Sequence, residues 1–187
     1  ELKRHEPFQL SEQEKKEGFQ ILFDGTNMHE WQGNTVDYVL EDGCIAMNPS
    51  KSFGGNLYTK KEYANFVYRF EFQLTPGANN GIGLRTPMGV DAAYHGMESQ
   101  ILDCEHPIYK DITPLQHHGS IYGIIPANEN HKKAIKPVGE WNEEEIICDG
   151  DNIKVTVNGV VIVEGNIRDA VKNGTCLLYT SPSPRDI

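Results

Sequence analysis

The chain has 187 residues, and its 17 basic and 27 acidic side chains give it a formal net charge of −10. This length suits one domain with a proper hydrophobic core. The acidic groups are spread along the chain, so its surface should repel the phosphates of nucleic acids, and no apolar run approaches the ~20 residues that a membrane span needs.

The chain opens at Glu1 without an initiator Met or a visible signal peptide. We therefore expect a processed or fragmentary product whose targeting information lies outside it. The four cysteines show no CxxC spacing, which argues against a zinc site.

The N-terminal segment predicts a short helix. Ser11 and Glu14 have the spacing of a capping box, and Gly18 is placed to end the helix after about two turns. We expect this helix to be the only substantial one. The apolar run Phe19–Phe23 then predicts a strand.

Two hairpins are predicted further along the chain. Tyr38–Leu40 and Cys44–Met47 flank a Glu-Asp-Gly turn. Ile153–Val157 and Val160–Val163 surround the dipeptide Asn158-Gly159, which is typical of tight hairpins. Many short strands joined by Gly, Asn and Asp turns favour a β-sandwich or barrel.

The segment Phe66–Leu74 alternates most clearly between two faces. One face carries Phe66, Tyr68, Phe70, Phe72 and Leu74, and the other carries Arg69, Glu71 and Gln73. Because alternate residues of a strand point to the same side, this pattern predicts a strand whose aromatic face lies between two packed sheets.

Three predicted strands carry polar side chains on one face. In the segment Gly81–Arg85, two glycines leave a hollow beside a cation. We predict that the polar faces form one concave groove for a hydroxyl-rich ligand. The residues expected there are Arg85, Glu98, Gln100, His118 and Tyr122, with Asn80 and Asp103 at the rim and Trp141 as a wall. The alternative is that these are solvated outer faces, as antiparallel strands often have.

The pair His117-His118 precedes one of these strands. Such a pair could bind a metal ion or act as a base near neutral pH. No second histidine cluster or carboxylate stands at helical spacing to it, so no metal site is predicted. Trp141 could stack on a sugar ring or anchor the core.

The C-terminal stretch Cys176–Asp186 resembles the translation of a transposase sequencing adapter. We therefore expect one β-sandwich domain over residues 1–174, a non-native or disordered tail over residues 175–187, and missing C-terminal strands. The alternative is a flexible tail rich in Ser and Pro.

Six motifs follow one another along the chain. They are Gly18–Gly25 with Trp31, Gly77–Arg85, Gly96–Asp103, Gly119–Gly123, Gly139–Asn142 and Val157–Gly159. In order and spacing they resemble the 3-keto-disaccharide hydrolase domain family, over roughly residues 17 to 174. The resemblance implies an all-β, two-sheet antiparallel jelly-roll sandwich of the concanavalin A type with a short N-terminal helix. It also implies a periplasmic or secreted bacterial protein.

The resemblance further implies action on glycosides that are already oxidised at the third carbon of the sugar. A ketone there acidifies the C2 proton, so that a base, an oxyanion stabiliser and an acid suffice for cleavage at C1. The expected roles are base for His118 or Glu98, oxyanion stabiliser for Arg85, acid for Tyr122 or Asp103, and sugar binding for Asn80, Gln100 and Trp141. No cofactor is expected, although a divalent cation could replace Arg85 as electrophile.

The competing interpretation is a non-catalytic carbohydrate-binding module on the same fold, since a fold does not fix a function. A binding module would rely on exposed aromatic side chains and would tolerate the loss of a base. The charged and titratable side chains on the predicted strand faces favour the enzyme. In either case, the expected partner is a sugar or glycoside.

Overall fold

The structure is a computed structural model that describes residues 7–48 and 55–172. Its backbone contacts divide the chain into two compact units, residues 1–62 and residues 63–187. The expectations for the tail from residue 175 onward lie outside the described residues. The single domain over residues 1–174 stays a prediction.

The first unit begins with helix α1, Glu12–Glu17. Glu14 N donates to Ser11 Oγ at 3.2 Å, and Ser11 N donates to a Glu14 carboxylate oxygen at 2.9 Å. These two bonds satisfy backbone groups that the first turn of a helix leaves unpaired. Gly18, with φ of 84°, ends the helix in the left-handed conformation. The predicted helix and its caps are confirmed.

Two pairs of short strands complete the first unit. Strand β1, Trp31–Gly33, pairs antiparallel with β4, Leu57–Thr59. Strands β2, Tyr38–Glu41, and β3, Cys44–Met47, form the predicted hairpin. Both residues of its tight turn, Asp42 and Gly43, have positive φ, as such a turn requires.

The strand predicted at Phe19–Phe23 is wrong, because this segment has no ladder partner among the described residues. The amide of Phe19 instead donates to Glu14 O at 3.0 Å and closes α1. The carbonyl of Leu22 accepts from the indole of Trp31 at 2.8 Å. The backbone groups of Phe19 and Leu22 therefore bond to a helix end and to a side chain, and not to a neighbouring strand.

The second unit contains six of the described strands. They are β5, Phe66–Gln73; β6, Asn79–Leu84; β7, Met97–Leu102; β8, Trp141–Asp149; β9, Asn152–Val157; and β10, Val160–Asn166. They form an antiparallel sheet in the order β10-β9-β8-β5 and an antiparallel pair β6-β7. The second predicted hairpin, β9 to β10 through Asn158-Gly159, is confirmed.

Three short helices also belong to this unit: α2, Ala92–His95; α3, His131–Ala134; and α4, Ile167–Lys172. With six residues, α4 equals α1 in length, so α1 is not the only substantial helix. No helix among the described residues is long and apolar enough to cross a membrane.

The two sheets of the second unit share one hydrophobic core. Phe72 of β5 and Leu74, which follows that strand, are 8% and 5% exposed, and they cluster with Met97 of β7 and Ile146 of β8. Phe66 and Phe70 pack against the same cluster. The aromatic face of β5 thus lies between the sheets, as predicted, and the architecture is a two-sheet antiparallel sandwich.

Candidate functional site

The polar side of the β6-β7 pair is set by its backbone register. Glu98 lies opposite Gly83, and Gln100 lies opposite Gly81. Directly opposed residues share a face of a sheet. Their neighbour Ile101 belongs to the buried core on the other face, so Glu98 and Gln100 point away from that core.

A third stretch of backbone extends this face on the other side of β7. Ser99 and Ile121 form an antiparallel bridge, and Tyr122 N donates to Glu98 O at 2.8 Å. This register puts Tyr122 beside Glu98 and Ser120 beside Gln100. We call the resulting surface the Glu98 face; it consists of Asn79, Gly81, Gly83, Glu98, Gln100, Ser120 and Tyr122.

The Glu98 side chain lies over the backbone of Gly81. A Cβ atom at position 81 would overlap the Glu98 carboxyl group, so a larger residue there would displace that side chain. At Gly83, a Cβ atom would lie 3.1 Å from Thr86 Oγ1 and 3.2 Å from Ala92 Cβ. The hollow that the glycines predict is thus filled, at Gly81, by the carboxyl group itself.

Glu98 is half-buried and carries the most informative electrostatics of the face. Burial, followed by the charge of Asp91, raises the pKa of Glu98 to about 7. A carboxyl group with this pKa is present in both protonation states at neutral pH, so it can accept or give up a proton there. Such perturbed groups are typical of catalytic sites.

Two amide side chains hold polar groups of the Glu98 face. Gln100, which is 5% exposed, donates from Nε2 to Asn79 Oδ1 at 3.4 Å. Gln116 Nε2 donates to the Tyr122 hydroxyl at 3.2 Å. Because the Tyr122 oxygen is the acceptor in that bond, its own hydrogen stays available to a substrate.

The structure brings Glu98, Gln100 and Tyr122 together but places Arg85 elsewhere. Arg85 Nε donates to Ala64 O at 2.6 Å, Nη1 donates to Gly150 O at 2.7 Å, and Nη2 donates to Asn65 Oδ1 at 3.3 Å. The guanidinium group therefore fastens the turn between β8 and β9 to the chain ahead of β5. The predicted placement fails because Arg85 has φ of 53°, which ends the alternation of β6.

His118 is likewise absent from the Glu98 face. It is 0% exposed and stacks on Phe72 with ring centroids 4.9 Å apart. Leu102 N donates to its Nδ1 at 3.1 Å, so Nε2 carries the proton and donates to a Glu144 carboxylate oxygen at 3.0 Å. The expected position of His118 beside Glu98 is thus corrected: the ring lies in the core.

The remaining predicted residues also lie off the Glu98 face. Asp103 is buried and accepts from Gly77 N at 2.9 Å. Asn80 lies opposite Ile101, which puts it on the other face of β6. Trp141 is 45% exposed, while its neighbour Asn142 is buried, so Trp141 points outward from the four-stranded sheet. Asp103, Asn80 and Trp141 therefore do not form the expected rim and wall.

One residue of the Glu98 face, Asn79, and two loop residues associated with it, Asp91 and Gln116, were missed from the sequence. Asn79 could have been found, because it lies two residues before Gly81 and therefore points to the same side of the strand. Asp91 and Gln116 come from loops, where no periodicity exists. No group of three or more His, Cys, Asp or Glu side chains within residues 7–48 and 55–172 is arranged to hold a metal ion.

Comparison with known proteins gives these residues a family context. The sequence pattern of the 3-keto-alpha-glucoside-1,2-lyase-like domain matches residues 18–184. A curated protein of Bacteroides thetaiotaomicron, named 3-keto-disaccharide hydrolase, is 29% identical over 161 residues, which cover 70% of this chain and 52% of that protein. The chain thus spans about half the length of that curated relative.

Two solved structures from Parabacteroides distasonis, both proposed to be glycosyl hydrolases, have similar folds. One has a TM-score of 0.66 at 27% identity and covers 75% of this chain and 68% of its own. The other has a TM-score of 0.73 at 22% identity, with 86% and 78% covered, and supports the fold alone. The sandwich architecture is thereby confirmed, and the chain belongs to the family of 3-keto-alpha-glucoside-1,2-lyase-like domains.

Proposed function

We propose that this chain is an enzyme that cleaves 3-keto-glycosides, including 3-keto-disaccharides, by eliminating the group at C1. The observation that carries the proposal is the half-buried Glu98, whose pKa is raised to about 7, beside Gln100 and Tyr122 on one sheet face. The name of the Bacteroides relative supports the substrate class.

The first proposed step is removal of the C2 proton. The C3 ketone makes this proton acidic, and the Glu98 carboxylate takes it while the C2–H electrons form an enolate. A base whose pKa lies near the working pH is well suited to this transfer. His118 cannot share the role from its place in the core, so the base is assigned to Glu98 alone.

The second step expels the leaving group. The enolate electrons re-form the C3 carbonyl and make a C1–C2 double bond as the C1–O bond breaks. The Tyr122 hydroxyl gives its hydrogen to the departing oxygen, and Gln116 holds that hydroxyl in place. The second N–H of the Gln100 amide is assigned to the enolate oxygen, the task expected earlier of Arg85.

Water then adds to C1 and gives one of its protons to the Tyr122 oxygen, while C2 takes up a proton, and the result is net hydrolysis. The protonated Glu98 carboxyl group can return the proton to C2, so the base is regenerated. No cofactor enters this scheme. The absence of a cofactor and the periplasmic or secreted location stay predictions.

The test compares a 3-keto-glucoside with its non-oxidised parent glucoside. We expect turnover of the keto compound only, and Glu98→Gln should lower kcat/KM by about 10²- to 10⁴-fold. Glu143→Gln is the matched control, because Glu143 is exposed on the other sheet. Melting temperatures verify that both variants fold.

Two outcomes would contradict the proposal. Full turnover by Glu98→Gln would show that Glu98 is not the base. Equal cleavage of the parent glucoside would show that the reaction does not depend on the C3 ketone and is not this elimination. Binding of the keto-glucoside without turnover, with unchanged affinity in Glu98→Gln, would establish the carbohydrate-binding module instead.

A further inference from the structure

A second candidate site lies apart from the Glu98 face, in a cavity of about 250 Å³. Its wall comes from the loop that follows β7, from His117, and from the start of α3. We call it the histidine cleft. None of the residues that form the Glu98 face lines it.

Two histidines with unsatisfied nitrogens form one wall of the cleft. The rings of His117 and His131 stack with centroids 4.5 Å apart and an interplanar angle of 30°. His131 is 3% exposed, and its Nδ1 donates to Asn128 O at 2.7 Å. Among the described residues, neither His131 Nε2 nor His117 Nδ1 finds a hydrogen-bond partner. Buried polar atoms rarely stay unpaired, because that costs free energy.

The charge around the pair favours an anion. Lys110 and Lys132 line the cleft, against the single carboxylate of Glu105. Burial lowers the pKa of His117, and His131 and Lys132 lower it further, whereas Glu105 raises it. An entering anion would add a favourable partner for the two lysines of the cleft.

The geometry disfavours a metal ion at the same place. The lone pairs of two rings stacked within 30° of parallel lie in separate planes, so a single ion cannot meet both at bonding distance. Within the described residues no third His, Cys, Asp or Glu completes such a site.

We propose that the histidine cleft binds a small oxyanion, a phosphate or carboxylate group, through His117, His131 and Lys132. Because Nδ1 of His131 already carries a hydrogen, its Nε2 becomes a donor only when the ring gains a second proton. Both unpaired nitrogens are shielded from solvent, so the anion reaches them as the half-buried His117 ring turns aside.

Binding is therefore linked to proton uptake. An anion beside the rings favours their charged form, so affinity should increase as pH falls. The other titratable groups at the cleft are Cys104, Glu105, His106, Tyr109, Lys110 and Lys132.

The experiment titrates the full chain with inorganic phosphate, with acetate and with Zn²⁺, at constant ionic strength and at pH 6 and pH 8. Calorimetry in buffers of different ionisation enthalpy counts the protons taken up. We expect saturable binding of at least one oxyanion, tighter at pH 6, with proton uptake; whichever of the two saturates identifies the group. Lys132→Gln and His117→Gln should each weaken binding on the order of tenfold.

Lys133→Gln is the matched control, because Lys133 is the exposed neighbour of Lys132 in α3 and does not line the cleft. Equal loss of affinity in Lys132→Gln and Lys133→Gln would overturn the proposal in favour of non-specific charge. Binding of Zn²⁺ with proton release, and of neither oxyanion, would also overturn it. Turnover at the Glu98 face is a separate readout, so failure here leaves the proposed function standing.

Discussion

Glu98 and Glu144 are both carboxyl groups withdrawn from water, and each belongs to a β-strand of the same unit. Glu144 is 2% exposed and accepts a hydrogen bond from His118 in the core. Glu98 is only half-buried, lies over a glycine and has Asp91 as its charged neighbour. The Glu144 carboxylate has a hydrogen-bond donor beside it, whereas the Glu98 carboxylate has a like charge beside it.

This difference distinguishes a carboxylate that stabilises the fold from one that suits a catalytic role. A buried carboxylate with a donor holds neighbouring strands in place, and removing its partner is costly. A carboxylate that is partly buried and lies beside a like charge holds its proton more tightly, which suits proton transfer near neutral pH. The deeper burial of His118 and Glu144 therefore indicates a clamp between the sheets, and the Glu98 face carries the proposed reaction.

The largest expected effect comes from His118→Leu. The substitution leaves Glu144 buried without its donor, and breaking such a pair should lower the free energy of unfolding by about 3–5 kcal/mol. Urea unfolding measures the loss, and His29→Leu, at an exposed position in the first unit, is the control. Turnover per folded molecule should change little. If His118→Leu abolished turnover and left stability unchanged, His118 and not Glu98 would be assigned as the base.

A smaller effect is expected from Gly81→Ala. The new Cβ atom overlaps the Glu98 carboxyl group and pushes it aside. A displacement of about 1 Å should lower kcat/KM roughly 10²-fold, with a loss of about 1–3 kcal/mol in stability from overpacking.

The control for Gly81→Ala is the same substitution in a Glu98→Ala background. Shortening residue 98 removes the group that clashes, so Gly81→Ala should cost little stability there. An equal cost in both backgrounds would show that the glycine serves its own backbone and not the carboxyl group.

The smallest expected effect is on the pH profile. If Glu98 is the base, kcat/KM rises with pH and levels off above about 7, the raised pKa of Glu98. Removing the neighbouring charge with Asp91→Asn favours the ionised carboxylate, so the midpoint should move to lower pH. A profile that stays in place would show that Asp91 does not act on the base.

The same raised pKa fixes the sign of a stability effect. Between the ordinary value of 4.5 and about 7, the folded protein binds a proton at Glu98 that the unfolded chain releases. Stability therefore falls as pH rises through this window. Glu98→Gln should abolish that fall, as melting temperatures at pH 5 and pH 8 would show.

The side of a sheet to which each side chain points could be predicted from the sequence wherever the backbone stays regular. The alternation of side chains placed Phe72 in the core and paired Glu98 with Gln100, because β5 and β7 are uninterrupted ladders. The hairpin turn at Asn158-Gly159 was equally readable, since few dipeptides accept two positive φ values.

The prediction of side-chain direction was wrong where one residue leaves the extended conformation. Arg85 takes a positive φ at the end of β6, and Gly119 takes one directly after His118. Each interrupts the regular alternation of side chains at its position, and Arg85 and His118 depart from the predicted face there. No sequence period records such an interruption, and the loop residues Asp91 and Gln116 have no period at all.

The strand order also bears on how this protein can change over generations. Strands β8, β9 and β10 are neighbours in sequence and in the sheet, whereas β5 reaches β8 across the whole stretch from Gln73 to Trp141. The Glu98 face and the histidine cleft both lie inside that stretch. Closing a loop costs only about 0.6 kcal/mol more for each doubling of its length. Insertions and deletions there can remodel what the molecule recognises while the short hairpins keep the register of the larger sheet.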